Sequence, residues 1–207
     1  MPALLEGSLL TIELTIVSIF FGLIIGLILA LGRLSKNKVF VRITTLYIWL
    51  FRGTPLMMQI FFIYYALPTI SSIELPAKPA AFIALSLNCA AYLAEIIRAA
   101  IQSIDKGQME AAIALGMNHK QAMSLIIIPQ SYRRLIPPVG NEVIALIKDT
   151  SLVSTIAMTE LLRVTSQISN KTGVALIYIP SAALYLLMTS VFTYTFRRLE
   201  NKYSAYE

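Results

Sequence analysis

Charge is scarce in this sequence. Only 14% of its 207 residues are Asp, Glu, Lys or Arg and 57% are hydrophobic, whereas an average soluble domain carries roughly 25% charged residues. That balance excludes an ordinary soluble domain and indicates an integral membrane protein. The single cysteine, Cys89, excludes an intrachain disulfide and any cysteine-cluster metal site, and reads as a small packing residue. A lone histidine, His119, is no metal site and reads as a surface or docking contact. No G-x-x-x-x-G-K-[ST] loop is present, so the chain has no evident grip on ATP phosphates. Neither a His cluster, a nucleophile–base–acid set nor a cofactor motif is found, which argues against a membrane enzyme. Low-complexity segments, linkers and convincing internal repeats are lacking as well, so residues 1–207 read as one domain. The missing repeat matters because many secondary transporters are built from inverted ones.

Long apolar runs are what the chain has instead. Those at about 8–32, 43–67, 79–103 and 174–196 each reach the ~20 residues that a helix needs to cross the hydrocarbon. The start lacks a basic n-region and its apolar run is too long for a signal peptide, so the first helix is expected to be retained. The net charge of +6 follows topology rather than nucleic acid. Arg33, Lys36, Lys38 and Arg42, then Lys106, Lys120, Arg133 and Arg134, then Arg197, Arg198 and Lys202 hold most of the basic residues, as cytoplasmic segments do. The stretches 1–7, 68–78 and 158–173 hold only Lys78, Arg163 and Lys171. An N-terminus outside and a tail inside demand an odd number of spans. The fifth must be 135–157, despite its Asn141, Glu142, Lys148 and Asp149, and it cannot face lipid, where an unpaired charge costs at least about 2.5 kcal/mol.

Two interruptions stand out. The second span contains "RGTP" at 52–55. One reading restarts a half-helix at Pro55 with Thr54 as N-cap, which aims a partial positive charge at a ligand. The other is a proline kink beside an Arg52 that snorkels to the cytoplasmic headgroups. "GLIIG" at 22–26 is a small-residue pattern that lets another helix come close. The second interruption, "EAAIALGMNHKQAMSLIIIP" at 110–129, is partly polar. Met109, Ala112, Ile113 and Gly116 share one helical face, Gly116 can end that helix in a left-handed conformation, Asn118 and Gln121 have capping-box spacing, and Pro129 is expected to stop a second helix at Ile128. A bent pair of short helices cannot span, and its apolar side needs something to dock on.

Glu110, Ala111, Ala112, Gly116, Ile126 and Pro129 resemble the EAA loop of ABC importer permeases, and that resemblance implies that they, with Met117 and Asn118 of the bend, dock on a separate ATPase subunit. "FRGTPLMMQIFFIYYALP" at 51–68, "AAYLAEIIRAAIQSIDKGQMEAAIALG" at 90–116 and "PQSYRRLIPPVGNEVIALIKDTSLVS" at 129–154 extend the likeness over roughly residues 8–200. The chain resembles the inner-membrane permeases of polar amino acid ABC importers, of the histidine, glutamine and arginine type. The resemblance implies an all-α, type I permease with five transmembrane helices and a cytoplasmic coupling loop at about 104–134, in a bacterial inner membrane. Its implied partners are separate ATPase subunits that carry ATP and magnesium, a second permease copy or relative, and an extracytoplasmic amino-acid-binding protein. No cofactor is implied in this chain itself. Ser124 and Ile128 depart from the Arg and Leu common in relatives, which bears on which ATPase fits. A self-powered secondary amino acid or ion carrier is the alternative, and it leaves the EAA spacing unexplained.

Ionisable residues inside spans are functional candidates. Asn88, Tyr92 and Glu95 lie at i, i+4 and i+7 with Arg98 three further on, and Glu142, Leu146 and Asp149 repeat that spacing. Glu95 with Arg98, and Lys148 with Asp149, are expected to be structural ion pairs. Glu142, Asn88, Tyr92 and Thr54 are the candidate substrate residues. Glu142 has no cation within a turn of its own helix. It can receive the side-chain charge of a cationic amino acid, or be neutralised by another subunit's Arg or by a proton.

Overall fold

The structure is a computed structural model and describes residues 1–204. In chain order it contains α1 (Pro2–Arg33), α2 (Lys38–Gly53), α3 (Leu56–Phe61), α4 (Leu67–Ser71), α5 (Ala77–Gln102), α6 (Lys106–Ala114), α7 (His119–Ala122), α8 (Ile128–Asp149), α9 (Leu161–Thr172) and α10 (Tyr178–Ser204). Wide-turn segments Phe62–Ala66 and Met123–Ile127 and tight-turn segments Thr150–Ile156 and Ala175–Ile177 join some of them. Among the described residues three helices, Pro2–Arg33, Ala77–Gln102 and Ala175–Tyr203, are long and apolar enough to cross a bilayer, and the bent pair Lys38–Gly53 and Leu56–Ser71 adds a fourth if it is one span.

The apolar core gathers on α5, whose Ala80, Ala81, Ala84, Ala90, Ala91 and Ala94 are all buried. Small side chains let helix backbones approach, and α1 uses this most. A Cβ on Gly26 would stand 2.9 Å from Leu93 Cβ and 3.1 Å from the Ala90 carbonyl oxygen, and one on Gly22 would meet Cys89 Sγ at 3.0 Å. The "GLIIG" pattern is thus spent on α5, and Cys89 is a packing residue in that seam. Gly26→Val should overpack it at a cost of about 1–3 kcal/mol. A lowered thermal midpoint of the purified chain is the expected result, and an unchanged midpoint would contradict the close approach.

The second apolar run is not one straight helix over 43–67. It turns by 106° between α2 and α3. Proline disfavours the helical region for the residue before it and donates no N–H, and Thr54 is accordingly extended at φ −117°, ψ 146°. The helix does restart, but Pro55 itself occupies the N-cap place, with no side-chain cap. Thr54 instead turns its hydroxyl back to donate to the Leu50 carbonyl at 2.8 Å.

Pro129 stops nothing. It lies in the first turn of α8, where a missing N–H is tolerated, and the wide turn Met123–Ile127 leads α7 into α8 without a loop. The expected span 135–157 is therefore the larger part of α8 followed by the tight turns of Thr150–Ile156. Its apolar face packs on α5 and α10, with Val143, Leu146 and Ile147 buried and Gly140 pressed against Phe196. At the start of α9, the fully buried Glu160 accepts from the Leu162 and Arg163 N–H groups at 2.8 and 2.7 Å and from the Tyr185 hydroxyl at 2.9 Å. Burial raises its pKa above the usual carboxylate range, and those three donors oppose the shift.

Candidate functional site

The 106° turn leaves backbone oxygens without helical partners, and two amides collect them. Gln59 Nε2 donates to the carbonyls of Phe51 and Thr54 at 2.9 and 3.1 Å and to Thr54 Oγ1 at 2.9 Å. Asn88 Nδ2 donates to Phe51 O at 3.2 Å and to Gln59 Oε1 at 2.9 Å. Beside this clasp, residues 52–56, α5 and α8 enclose an open cleft of about 500 Å³, lined by Arg52, Thr54, Asn88, Tyr92, Glu142 and Asp149 among others. All four candidate substrate residues meet there. Thr54 shapes the wall more than it can bind, because its hydroxyl proton is already given to Leu50.

The cleft brings two carboxylates, Glu142 and Asp149, together with one guanidinium. Arg52 does not snorkel away. Its guanidinium carbon lies 5.2 Å from the centre of the Tyr92 ring, within the ~6 Å reach of a cation–π contact. The arrangement offers acceptors on the α8 side and donors at the helix break, so it can hold a small molecule that carries both signs of charge.

The expected pairings divide. Glu95 and Arg98 are joined, Nη2 to Oε2 at 2.7 Å and Nε to Oε1 at 3.1 Å. Arg33 enters the same cluster, with its Nε 3.4 Å from Glu95 Oε1. Lys148 and Asp149, by contrast, form no ion pair among the described residues. Successive helix residues diverge by about 100°, so Lys148 is exposed while Asp149 turns into the cleft.

The bent loop forms as its sequence dictates. Gly116 has φ +86°, Met117 N–H donates to Ala112 O at 3.1 Å and Gly116 N–H to Ile113 O at 2.9 Å, which is the glycine-ended closure of a helix. Asn118 Oδ1 accepts from Gln121 N–H at 3.0 Å, and Gln121 Oε1 from Asn118 N–H at 2.9 Å. Ala112, Ala122 and Ile127 are buried where the short helices meet, while Ile113, Leu115 and Leu125 stand outward, Leu115 at 85% exposure. Ala112 is part of the loop's own core. Met117 and Ile126 are half-buried, and Glu110, Ala111, Gly116, Asn118 and Pro129 are exposed.

Residues 22–204 match the family described as the binding-protein-dependent transport system inner membrane component. The chain belongs to this family. It is 41% identical over 207 residues to the L-cystine transport system permease protein TcyB of Bacillus subtilis (strain 168), covering 99% of this chain and 88% of the relative. It is 41% identical over 162 residues to the arginine transport system permease protein ArtQ of the same strain, covering 78% and 74%. A crystal structure of an amino acid ABC transporter with histidines superposes with a TM-score of 0.92 at 38% identity, covering 97% of this chain and 94% of that one.

Two side chains of this inner membrane component have roles that sequence spacing does not display. Gln59 sits among apolar neighbours in the sequence, and its role depends on a turn that returns it to Phe51 and Thr54. The sequence places Arg52 beside the membrane surface. The distance between cationic runs gave no sign that Tyr92, forty residues away, would receive it.

Proposed function

We propose that this chain is the permease of an ABC importer for polar, chiefly cationic, amino acids, and that the cleft between the helix break, α5 and α8 is where cargo rests within the membrane. One observation carries the reading: Asn88, Tyr92 and Glu142, with Asp149 and Arg52, line one cleft of about 500 Å³, a size suited to small ligands. Glu142 and Asp149 receive the cationic groups of the cargo, and Arg52 faces its carboxylate. Family membership sets aside the self-powered carrier. The relatives named for cystine and arginine transport support an amino acid as cargo.

The N-terminus lies outside and the tail in the cytoplasm, a placement supported by the concentration of Lys and Arg in the loop and tail. In this reading the exposed side of 110–129, with Ile113, Leu115 and Leu125, seats in a groove of a separate ATPase subunit, which alone holds ATP and magnesium. A second permease, copy or relative, completes the pathway, and an extracytoplasmic binding protein delivers the amino acid. ATP-driven closure of the ATPases then draws the loops together and turns the cleft outward. Hydrolysis resets it.

Proteoliposomes holding this chain with its ATPase and binding protein should take up L-arginine or L-lysine only when ATP is supplied. Uptake driven by an ion gradient without ATP, or confined to acidic amino acids, would overturn the proposal.

A further inference from the structure

The amide clasp at the helix break fixes more than backbone. Phe51 O and Thr54 O are carbonyl oxygens and can only accept, so the Gln59 atom 2.9 and 3.1 Å from them must be the nitrogen. Its other amide atom, Oε1, then faces Asn88. The Asn88 atom that lies 2.9 Å from Gln59 Oε1 and 3.2 Å from Phe51 O has two acceptors before it and must in turn be nitrogen. Both of its N–H bonds are thereby used. What remains to Asn88, a side chain that lines the cleft, is its carbonyl oxygen Oδ1.

Asn and Gln amides are otherwise free to present either end, since oxygen and nitrogen have nearly the same shape. We infer that Gln59 is a positioning residue that locks the Asn88 amide with its oxygen toward the cleft, so that this wall offers an acceptor for an N–H of a positively charged cargo group. The inference rests on the reading of the cleft as the cargo site. With Oδ1 so placed, Asn88, Glu142 and Asp149 supply acceptors to the cleft, and Arg52 supplies a donor. Both amides are buried, at 8% exposure each, so the protein and not water sets the orientation. The clasp is also built from one end only: its direction originates in two carbonyls that the proline break has stripped of helical partners.

The test exploits the fact that a carboxylate has no wrong end. Equilibrium binding of radiolabelled L-arginine is measured on the full chain purified with its ATPase, without the binding protein. Gln59→Met removes the lock, and about a tenfold weaker binding is expected. The Gln59→Met/Asn88→Asp double variant presents acceptor oxygen in either orientation and should recover binding to within about threefold of the unmodified chain. A purely structural role for Gln59 gives no such recovery. Should Gln59→Met fail to accumulate, Asn88→Leu removes the acceptor itself and should weaken binding about tenfold. Binding within threefold there, with the melting temperature unchanged, overturns the inference. If the unmodified chain does not bind, or Glu142→Gln leaves binding unchanged, the cleft is not the cargo site and the inference falls with that reading. If binding depends on Glu142 but not on Gln59, or is not recovered by the double variant, the inference alone is overturned.

Discussion

Gly116→Val releases the chain from its ATPase. This is the expected result of a pull-down in which the purified chain captures its ATPase subunit, with capture falling at least tenfold. The cause is conformational and not steric crowding, because a Cβ at Gly116 would meet nothing within 4 Å. The residue stands at φ +86°, a region that costs an L-residue roughly 1–2 kcal/mol and a β-branched one more. The strain is relieved by opening the closure made by Met117 and Gly116 on the carbonyls of Ala112 and Ile113. The angle between α6 and α7 then changes, and Ile113 and Leu115 no longer share a surface with Leu125. Asparagine tolerates the left-handed region better than other non-glycine residues, so Gly116→Asn should retain a large part of the capture. Gly53→Ala serves as a control, since Gly53 is likewise uncrowded and has no positive φ. Full capture by Gly116→Val would contradict docking through this bend.

Glu142→Gln should separate cargo by charge. A charge-assisted bond in a partly buried site is worth about 1.5–3 kcal/mol, so ATP-driven uptake of L-arginine should fall by at least tenfold in proteoliposomes. Uptake of L-glutamine, if the transporter accepts it, should change by less than threefold, because a neutral side chain never used the charge. Glutamine keeps the shape and hydrogen-bonding reach of the original side chain, so a general collapse of the cleft is not expected. Equal loss for both amino acids would overturn cation selectivity through Glu142. It would leave the carboxylate with a structural part, such as pairing with Arg52 across the same cleft.

Local chemistry was legible in the sequence wherever partners lie within a few residues. The Asn118–Gln121 box, the glycine bend and the Glu95–Arg98 pair depend on spacings of three or four, and spacing is what a sequence displays. The cleft was half legible. The i, i+4, i+7 stripes named Asn88, Tyr92 and Glu142, and the helices do turn those faces to one cavity. What failed depended on tertiary placement. Lys148 and Asp149 are neighbours in the chain but diverge on the helix. Ala112 belongs to the apolar stripe, yet the fold of the loop buries it while Ile113 of the same stripe stays exposed. Pro129 punctuates a regular helix, but the wide turn before it absorbs the missing N–H. Gln59 needed the direction of the 106° turn, which no periodicity encodes.

The continuity of α7, the wide turn and α8 has a mechanical consequence. Asn118 and Glu142 lie on one continuous helical run, on the order of 35 Å apart at 1.5 Å per residue. A shove delivered to the loop reaches the acidic wall of the cavity through that run, which can flex at the wide turn Met123–Ile127 and at Pro137 and Pro138. A further joint stands on the opposite wall, where the non-helical Thr54 and Pro55 part α2 from α3.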